Sequence, residues 1–407
     1  MQGSHIKDKI LSGNALNRNS KKRRILNLLY NHESMSGPSI CKRIGVSLPT
    51  ALTLLNELKD SKFIENRGVG KSIGGRKPNM FGLCNDSIFV LACEMRRYNA
   101  ILTLYNSHNK PVAPVVSFET NIDDEKLVDK IHKQAKKLLK GVKIKEERVF
   151  GLGIIMPGLI DESKGINYTI KNPAFRNIRE RLEEKFHMRV YINNDARMQA
   201  YGEYKFGAAK GYKNAVVVNW NWGIGLGMIL DGKLYNGATG FAGELSHAKF
   251  VENGDLCICG KRGCLETIAS VNAIIKYAKL GIENGTVTQL ASKFKNRLNE
   301  IRAEDIIETA KMGDEFSILL LNNLGLALGE GISMTIQLLN PDIIVLGGII
   351  SSANQYVLIP IQQSINKYCL EQISASTEIV ISDNWKQSGL LGITALMFQK
   401  LFFEIYN

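Results

Sequence analysis

From Ser87 onward the chain alternates short apolar runs with longer amphipathic ones. Residues 88–94 (IFVLACE), 100–105 (AILTLY) and 149–156 (VFGLGIIM) have the length of buried strands, whereas 125–140 (EKLVDKIHKQAKKLLK) repeats its apolar positions at helical spacing. Alternation of this kind predicts α/β layers. Two later runs, 215–220 (AVVVNW) and 343–350 (IIVLGGII), lead into glycines, which serve either as plain structural turns or as ligand-binding turns at strand ends. The first fifth of the chain has another texture. Residues 20–33 read as an amphipathic helix with Ser20 as N-cap and Ile25, Leu28 and Leu29 on its buried face. A short helix is predicted over 36–44, then a Gly45-Val46-Ser47 turn and a third helix capped by Ser47, with Pro49 in its first turn and Ala51, Leu54, Leu55 and Leu58 inward. Segments 63–67 and 79–83 pair as strands around the glycine-rich, basic loop 68–78, giving a winged helix-turn-helix.

Charge changes the meaning of that first unit. The 407 residues carry a net +13, and residues 1–81 hold fifteen Lys/Arg against five Asp/Glu, so most of the excess lies there. A basic helix-turn-helix meets a polyanion, and DNA is the fitting one. Ser47, Leu48, Thr50 and Thr53 begin the third helix and are offered to the major groove, while Arg67, Lys71, Arg76 and Lys77 of the wing reach phosphates or the minor groove. The plainer alternative is a helical dimerisation unit with a solvated charge run.

Hydrophobic content of 44% and this length predict more than one domain. No uninterrupted apolar run reaches the ~18 residues of a membrane span, and the N-terminus lacks the apolar centre of a signal peptide, so a cytoplasmic location without membrane contact is expected. Seven unevenly spaced cysteines do not suit a disulfide framework. Three of them crowd into residues 257–264 of CICGKRGCLE. Cys257, Cys259 and Cys264 with His247 upstream form a Cys3His set, the ligand chemistry of a closed, structural zinc site; free thiols in a glycine loop are the alternative. Carboxylates stand near by: Glu244 and Glu266 flank the loop, and Asp195 ends the strand-like 189–192 in an Asn193-Asn194-Asp195 run. Each suits accepting a proton from, or a hydrogen bond of, a bound hydroxyl, and each alone suits a cap or a turn equally.

Taken with the winged helix, the stretches 151–161 (GLGIIMPGLID), 191–196 (YINNDA), 240–247 (GFAGELSH), the cysteine loop through Glu266, 345–349 (VLGGI) and 389–396 (GLLGITAL) resemble the ROK family of bacterial repressors and sugar kinases. The likeness is to its transcriptional branch, which includes N-acetylglucosamine and xylose repressors. It implies a winged helix-turn-helix at 1–83 and, at 84–407, an actin-like, ribonuclease H-like pair of lobes: a small lobe of about 84–195 plus the C-terminal helix of about 386–407, and a large lobe of about 196–385. It implies that Asn194, Asp195, Glu244, His247 and Glu266, with Asn172 a further candidate, contact sugar hydroxyls, and that His247, Cys257, Cys259 and Cys264 bind zinc.

In family kinases the place of Asp195 is the catalytic base. The phosphate-handling turns differ here: Asp-x-Gly-Gly-Thr is replaced by Glu94-Met-Arg-Arg-Tyr98, and Gly-Thr-Gly-Ile-Gly by Asn221-Trp-Gly-Ile-Gly225. Phosphoryl transfer depends on positioning and neutralising phosphates, so a vestigial base and a lost kinase activity are expected. The resulting expectation is a homo-oligomeric repressor, dimer or tetramer, that leaves operator DNA when a sugar or sugar phosphate binds. An active sugar kinase and a repressor controlled by a protein partner are the alternatives.

Overall fold

The computed structural model describes residues 13–70 and 77–404. The N-terminal unit comprises helix α1 (Gly13–Asn31), strand β1 (Met35–Ser36), helices α2 (Gly37–Ile44) and α3 (Leu48–Asp60), and strands β2 (Ile64–Val69) and β3 (Asn79–Leu83). Serines set two of the helix starts: Ser36 accepts from Ser39 N and Ser47 from Thr50 N, while Gly45 closes α2 in the left-handed conformation that a side chain disfavours. Ser20, by contrast, lies inside α1. The helix on either side of it is tied down by tertiary pairing, since Arg18 before it and Lys22 after it both reach Glu57 of α3, Lys22 at 2.7 Å. The β2–β3 pair frames the wing, and β1, which the sequence pattern did not indicate, adds a third strand through Met35 opposite Phe81.

Beyond it come β4 (Phe89–Met95), β5 (Asn99–Asn106), β6 (Val116–Glu119), α4 (Leu127–Gly141), β7 (Val149–Met156), a small hairpin of β8 (Ile160–Asp161) and β9 (Ile166–Asn167), α5 (Ile178–Phe186), β10 (Arg189–Asn194) and α6 (Asp195–Phe206). The second set is β11 (Ala215–Trp220), β12 (Ile224–Leu230), β13 (Lys233–Leu234), α7 (Glu266–Ala269), α8 (Val271–Glu283), α9 (Gln289–Phe294), α10 (Ala303–Lys311), α11 (Glu315–Leu339), β14 (Ile343–Gly347), α12 (Gln355–Tyr368), α13 (Glu371–Ser374), β15 (Glu378–Ile381) and α14 (Trp385–Glu404).

The two five-stranded sheets, β10-β7-β4-β5-β6 and β13-β12-β11-β14-β15, share one topology. In each, the first strand is central, two antiparallel strands extend one side, and two parallel strands reached by crossovers extend the other. This is the actin-like pair of lobes. The sheets exchange helices: α6 leaves the first sheet yet packs on β11 and β12, and α14 leaves the second yet packs on β4 and β7. The two helices run against each other, and glycine permits the approach, because a Cβ on Gly202 or on Gly392 would fall 1.9 Å from the carbonyl oxygen of Ser388 or Met198.

Helix α1 continues the packing. The Tyr30 ring lies 5.6 Å from Phe398 and 5.7 Å from Phe402 of α14, and Arg23 sits over Phe403 at 4.8 Å. The buried side chains of the winged helix therefore join one apolar cluster with α14 and α6.

Among the described residues one helix, α11, is long and apolar enough by length and composition to cross a membrane. It is a core helix here: Gly325 and Gly329 press onto α12, and Leu321, Leu324, Leu328, Ile332 and Ile336 are buried. In the sequence it does not stand out as an uninterrupted apolar run, because Asn322, Asn323 and Glu330 break it.

Candidate functional site

The strand-to-helix junction β10–α6 presents the first group. Asn194 caps α6, its Oδ1 accepting from Arg197 N at 3.1 Å while its Nδ2 donates to Gly158 O at 3.1 Å. Asp195 is thereby set at the start of the helix, where its carboxylate takes the Ala196 amide at 2.9 Å and the Asn219 amide group at 3.3 Å. Burial pushes its carboxyl up to about 7 against the pull of the Ala196 amide, with Glu94 and Glu244 adding to the rise.

Glu244 comes from a tight turn after β13. Gly243 precedes it at φ 98°, and a Cβ there would lie 2.1 Å from Leu226 O, so only glycine lets this turn press against β12. Burial raises the Glu244 carboxyl, opposed by His247 and Arg197. Glu266 begins α7, which Trp220 holds down by donating its indole N–H to Ala269 O at 2.6 Å. Burial raises this carboxyl too, and His247 opposes the rise. Asp195, Glu244 and Glu266 thus converge from three elements.

His247 links them to the cysteines. Its Nδ1 is 3.5 Å from Cys257 Sγ, its Nε2 is 3.8 Å from a Glu244 oxygen, and Cys259 and Cys264 sulfurs lie 3.6 Å apart. The four ligand atoms all fall within 4.8 Å of one another. Tetrahedral zinc requires S···S near ~3.7 Å and S···N near ~3.5 Å, given its bond lengths, so the donor set fits. The loop folds through Cys257 N donating to Lys261 O and through Gly263, at φ 76°, where a Cβ would strike Val251 O at 1.9 Å.

Asn172 makes no contact with this group among the described residues; it is exposed, and its Oδ1 caps its own turn by accepting from Ala174 N. Sequence reasoning missed Glu94, Arg197 and Asn219. Glu94, whose carboxyl burial also raises, pairs with Arg96 at 2.8 Å; Arg197 is almost fully buried and donates to Gly240 O and Ile160 O. Glu94 had a signal, since it occupies the aspartate place of the altered phosphate turn.

In the winged helix, Leu48, Thr50 and Thr53 are exposed on α3, and so is Leu52, which the sequence pattern did not single out. Ser47 Oγ and Thr50 Oγ1 are 2.8 Å apart at the cap. Lys77 is exposed, whereas Arg67 turns back on its own unit, pairing with Glu65 at 2.9 Å and donating to Leu83 O and Asn85 Oδ1. Lys71 and Arg76 lie outside the described residues.

A two-lobed actin-like frame with a basic winged helix defines the class, and the sequence comparisons agree: the ROK family profile matches residues 115–400, and a winged helix-turn-helix DNA-binding profile matches residues 18–65. The chain belongs to the ROK family. It is 28% identical over 385 residues to the xylose repressor of Bacillus spizizenii, covering 92% of this chain and 94% of that protein. It is also 32% identical over 259 residues to a glucokinase of Halalkalibacterium halodurans, which spans 63% of this chain and 78% of the kinase. A crystal structure of a ROK family transcriptional regulator, a homolog of the E. coli MLC protein, superposes with TM-score 0.82 at 24% identity over 96% of this chain and 99% of that one.

Proposed function

We propose that the protein is a sugar-responsive transcriptional repressor that binds operator DNA through α3 and the wing and is released by a sugar or sugar phosphate. The observation that carries this is the unbroken packing from Asp195 at the start of α6, along α14, to Tyr30 of α1. A ligand that favours one arrangement of α6 and α14 can act on the DNA-binding unit along such a path, by its differential affinity for the two states.

In this reading Asn194, Asp195, Glu244, His247 and Glu266 take the sugar hydroxyls. Cys257, Cys259, Cys264 and His247 would hold zinc, which would supply a rigid tie between the turn that carries Glu244 and the start of α7 that carries Glu266. Ser47, Leu48, Thr50 and Thr53 face base edges, and Lys71, Arg76 and Lys77 face phosphates; Arg67 orders the base of the wing. The protein works as a cytoplasmic homo-oligomer, and its two winged helices match two half-sites.

Fluorescence anisotropy on DNA from upstream of neighbouring carbohydrate genes tests this, with a panel of hexoses, N-acetylhexosamines, xylose and their phosphates. Salt-dependent, sequence-preferring binding that one ligand weakens is the expected result. Glu266→Ala keeps zinc and DNA affinity and loses the ligand response. DNA binding without sequence preference overturns the reading.

A second reading, an active sugar kinase, is favoured by the likeness to the H. halodurans glucokinase. An ADP-release assay over the same sugars decides it: turnover that Asp195→Asn abolishes establishes the kinase.

A further inference from the structure

The turns β4–β5 (residues 96–98) and β11–β12 (residues 221–223) occupy equivalent places, each joining the central strand of its sheet to the antiparallel neighbour. They meet between the two lobes. The Arg97 guanidinium carbon lies 3.9 Å from the centre of the Trp222 ring, Tyr98 stands edge-on to the same indole at 6.2 Å, and Arg97 Nε donates to the Tyr98 hydroxyl at 2.7 Å. A cation and a phenol of one lobe thus embrace an indole of the other. Among the described residues no carboxylate pairs with Arg97, so the indole face is its main partner.

Each side is anchored to its own lobe. Trp222 O accepts from Asn272 N at 3.3 Å, Asn221 O accepts from Val271 N at 3.1 Å, and Asn221 Oδ1 accepts from Ile349 N at 2.9 Å. The opposite turn is tied down by the Arg96–Glu94 pair. Each side also runs directly into the carboxylates. Gly223, next to Trp222, lies against Glu266, since a Cβ there would be 2.8 Å from Oε2. Glu94 is the buried carboxyl beside Asp195 and approaches α14 at Gly389. Parting the lobes therefore separates Arg97 from Trp222 and displaces Glu266 relative to Asn194, which ends β10 of the first sheet and donates to Gly158 O.

We propose that Arg97 and Trp222 form a clasp between the lobes that holds the cleft closed over its ligand, making both of them positioning residues for the ligand response. The inference rests on the sugar-pocket reading for its consequence, not for its geometry. A ligand touching Asn194 on one side and Glu266 on the other favours the same closed spacing as the clasp, so removing the clasp lowers apparent ligand affinity by the population it had shifted.

The test uses the full-length, zinc-loaded protein and the variants Arg97→Ala, Trp222→Ala and the double variant. Spin labels carried by unnatural amino acids at Lys133 of α4 and Gln363 of α12 report the inter-lobe distance by pulsed electron paramagnetic resonance. Each single variant is expected to broaden the distribution toward longer distances, and the double variant to match the singles, because both remove one contact. Trp222→Phe, which keeps an aromatic face, falls between wild type and Trp222→Ala.

In the same preparations the sugar that acts on wild type should dissociate faster from the variants, with apparent affinity down about three- to thirty-fold, the range of an exposed to a desolvated cation–π contact. Unchanged distance distributions in all three variants overturn the clasp, as does unchanged ligand affinity alongside wider distances. If wild type binds none of the panel, the sugar reading fails and the distances alone still judge the clasp.

Discussion

The two lobes have the same strand order and put it to different use. Between its third and fourth strands the first lobe inserts residues 120–148, essentially one helix; at the same place the second lobe inserts residues 235–342. That longer insertion contains Glu244, His247, the cysteine loop and Glu266. The frame is common to both halves, while most of the chemistry belongs to one excursion from it. Its cysteine loop is rich in turns and poor in core: Leu256 is 63% and Ile258 83% exposed, so apolar burial alone holds its tip weakly. A metal held by His247, Cys257, Cys259 and Cys264 would staple that segment, whereas α4 of the first lobe buries Leu127, Val128, Ile131, Ala135, Leu138 and Leu139 directly on its sheet.

Removing the staple should give the largest effect. Structural zinc held by thiolates and imidazole contributes on the order of 10 kcal/mol to folding of its segment at neutral pH. Cys264→Ser, or chelation of the wild type, should release about one zinc per chain and lower Tm by ~10 °C or more. Hydrogen exchange should rise over residues 244–266 while β4, β5 and β7 stay protected. Equal loss of protection in both lobes breaks the comparison, and a gently purified protein without metal removes its premise.

Smaller, and aimed at the contact between the lobes and the DNA-binding unit, is Tyr30→Ala. It removes two ring contacts and leaves a cavity against Phe398 and Phe402, costing ~3–4 kcal/mol. Sugar affinity should stay within about twofold of wild type, while the change in DNA affinity on adding sugar shrinks about tenfold, as a coupling energy of ~1.4 kcal/mol is lost. DNA affinity that still responds fully to sugar would remove α14 from the path.

How much of this the sequence disclosed depends on distance along the chain. The winged helix was legible because its determinants are local: Ser36 and Ser47 cap the helices that begin beside them, and Gly45 closes the helix that ends beside it. The cysteine cluster was legible for the same reason, with its four candidate metal ligands all within residues 247–264. Ser20 misled because the helix on either side of it is tied down by Glu57 of another helix, a tertiary pairing that no local propensity encodes. Arg67 looked like a DNA contact by composition, yet Glu65, Leu83 O and Asn85 claim its guanidinium. Arg97 and Trp222 were each visible as departures from a family motif, but nothing in the order of residues says that the two departures touch. The exchange of α6 and α14 is likewise a property of the duplicated topology.

The finest distinction concerns Asp195, which sits where the lobes join. Burial pushes its carboxyl up to about 7 in the folded chain, against ~4 when unfolded. Between those values the folded state holds the extra proton, so the group lowers stability progressively as pH rises from about 4 to about 7 and exerts its full cost above 7. Asp195→Asn cannot ionise and escapes that cost. The Tm of the variant minus that of wild type should therefore grow by ~2–6 °C between pH 5 and pH 8 in the absence of ligand. A sugar whose hydroxyl donates to the ionised carboxylate reverses the balance for wild type, since binding then favours the charged form, and should bind more tightly at pH 8 than at pH 5. If the difference in Tm is the same at both pH values, burial of Asp195 is not what sets its charge, and the junction of the lobes is wetter than its packing implies.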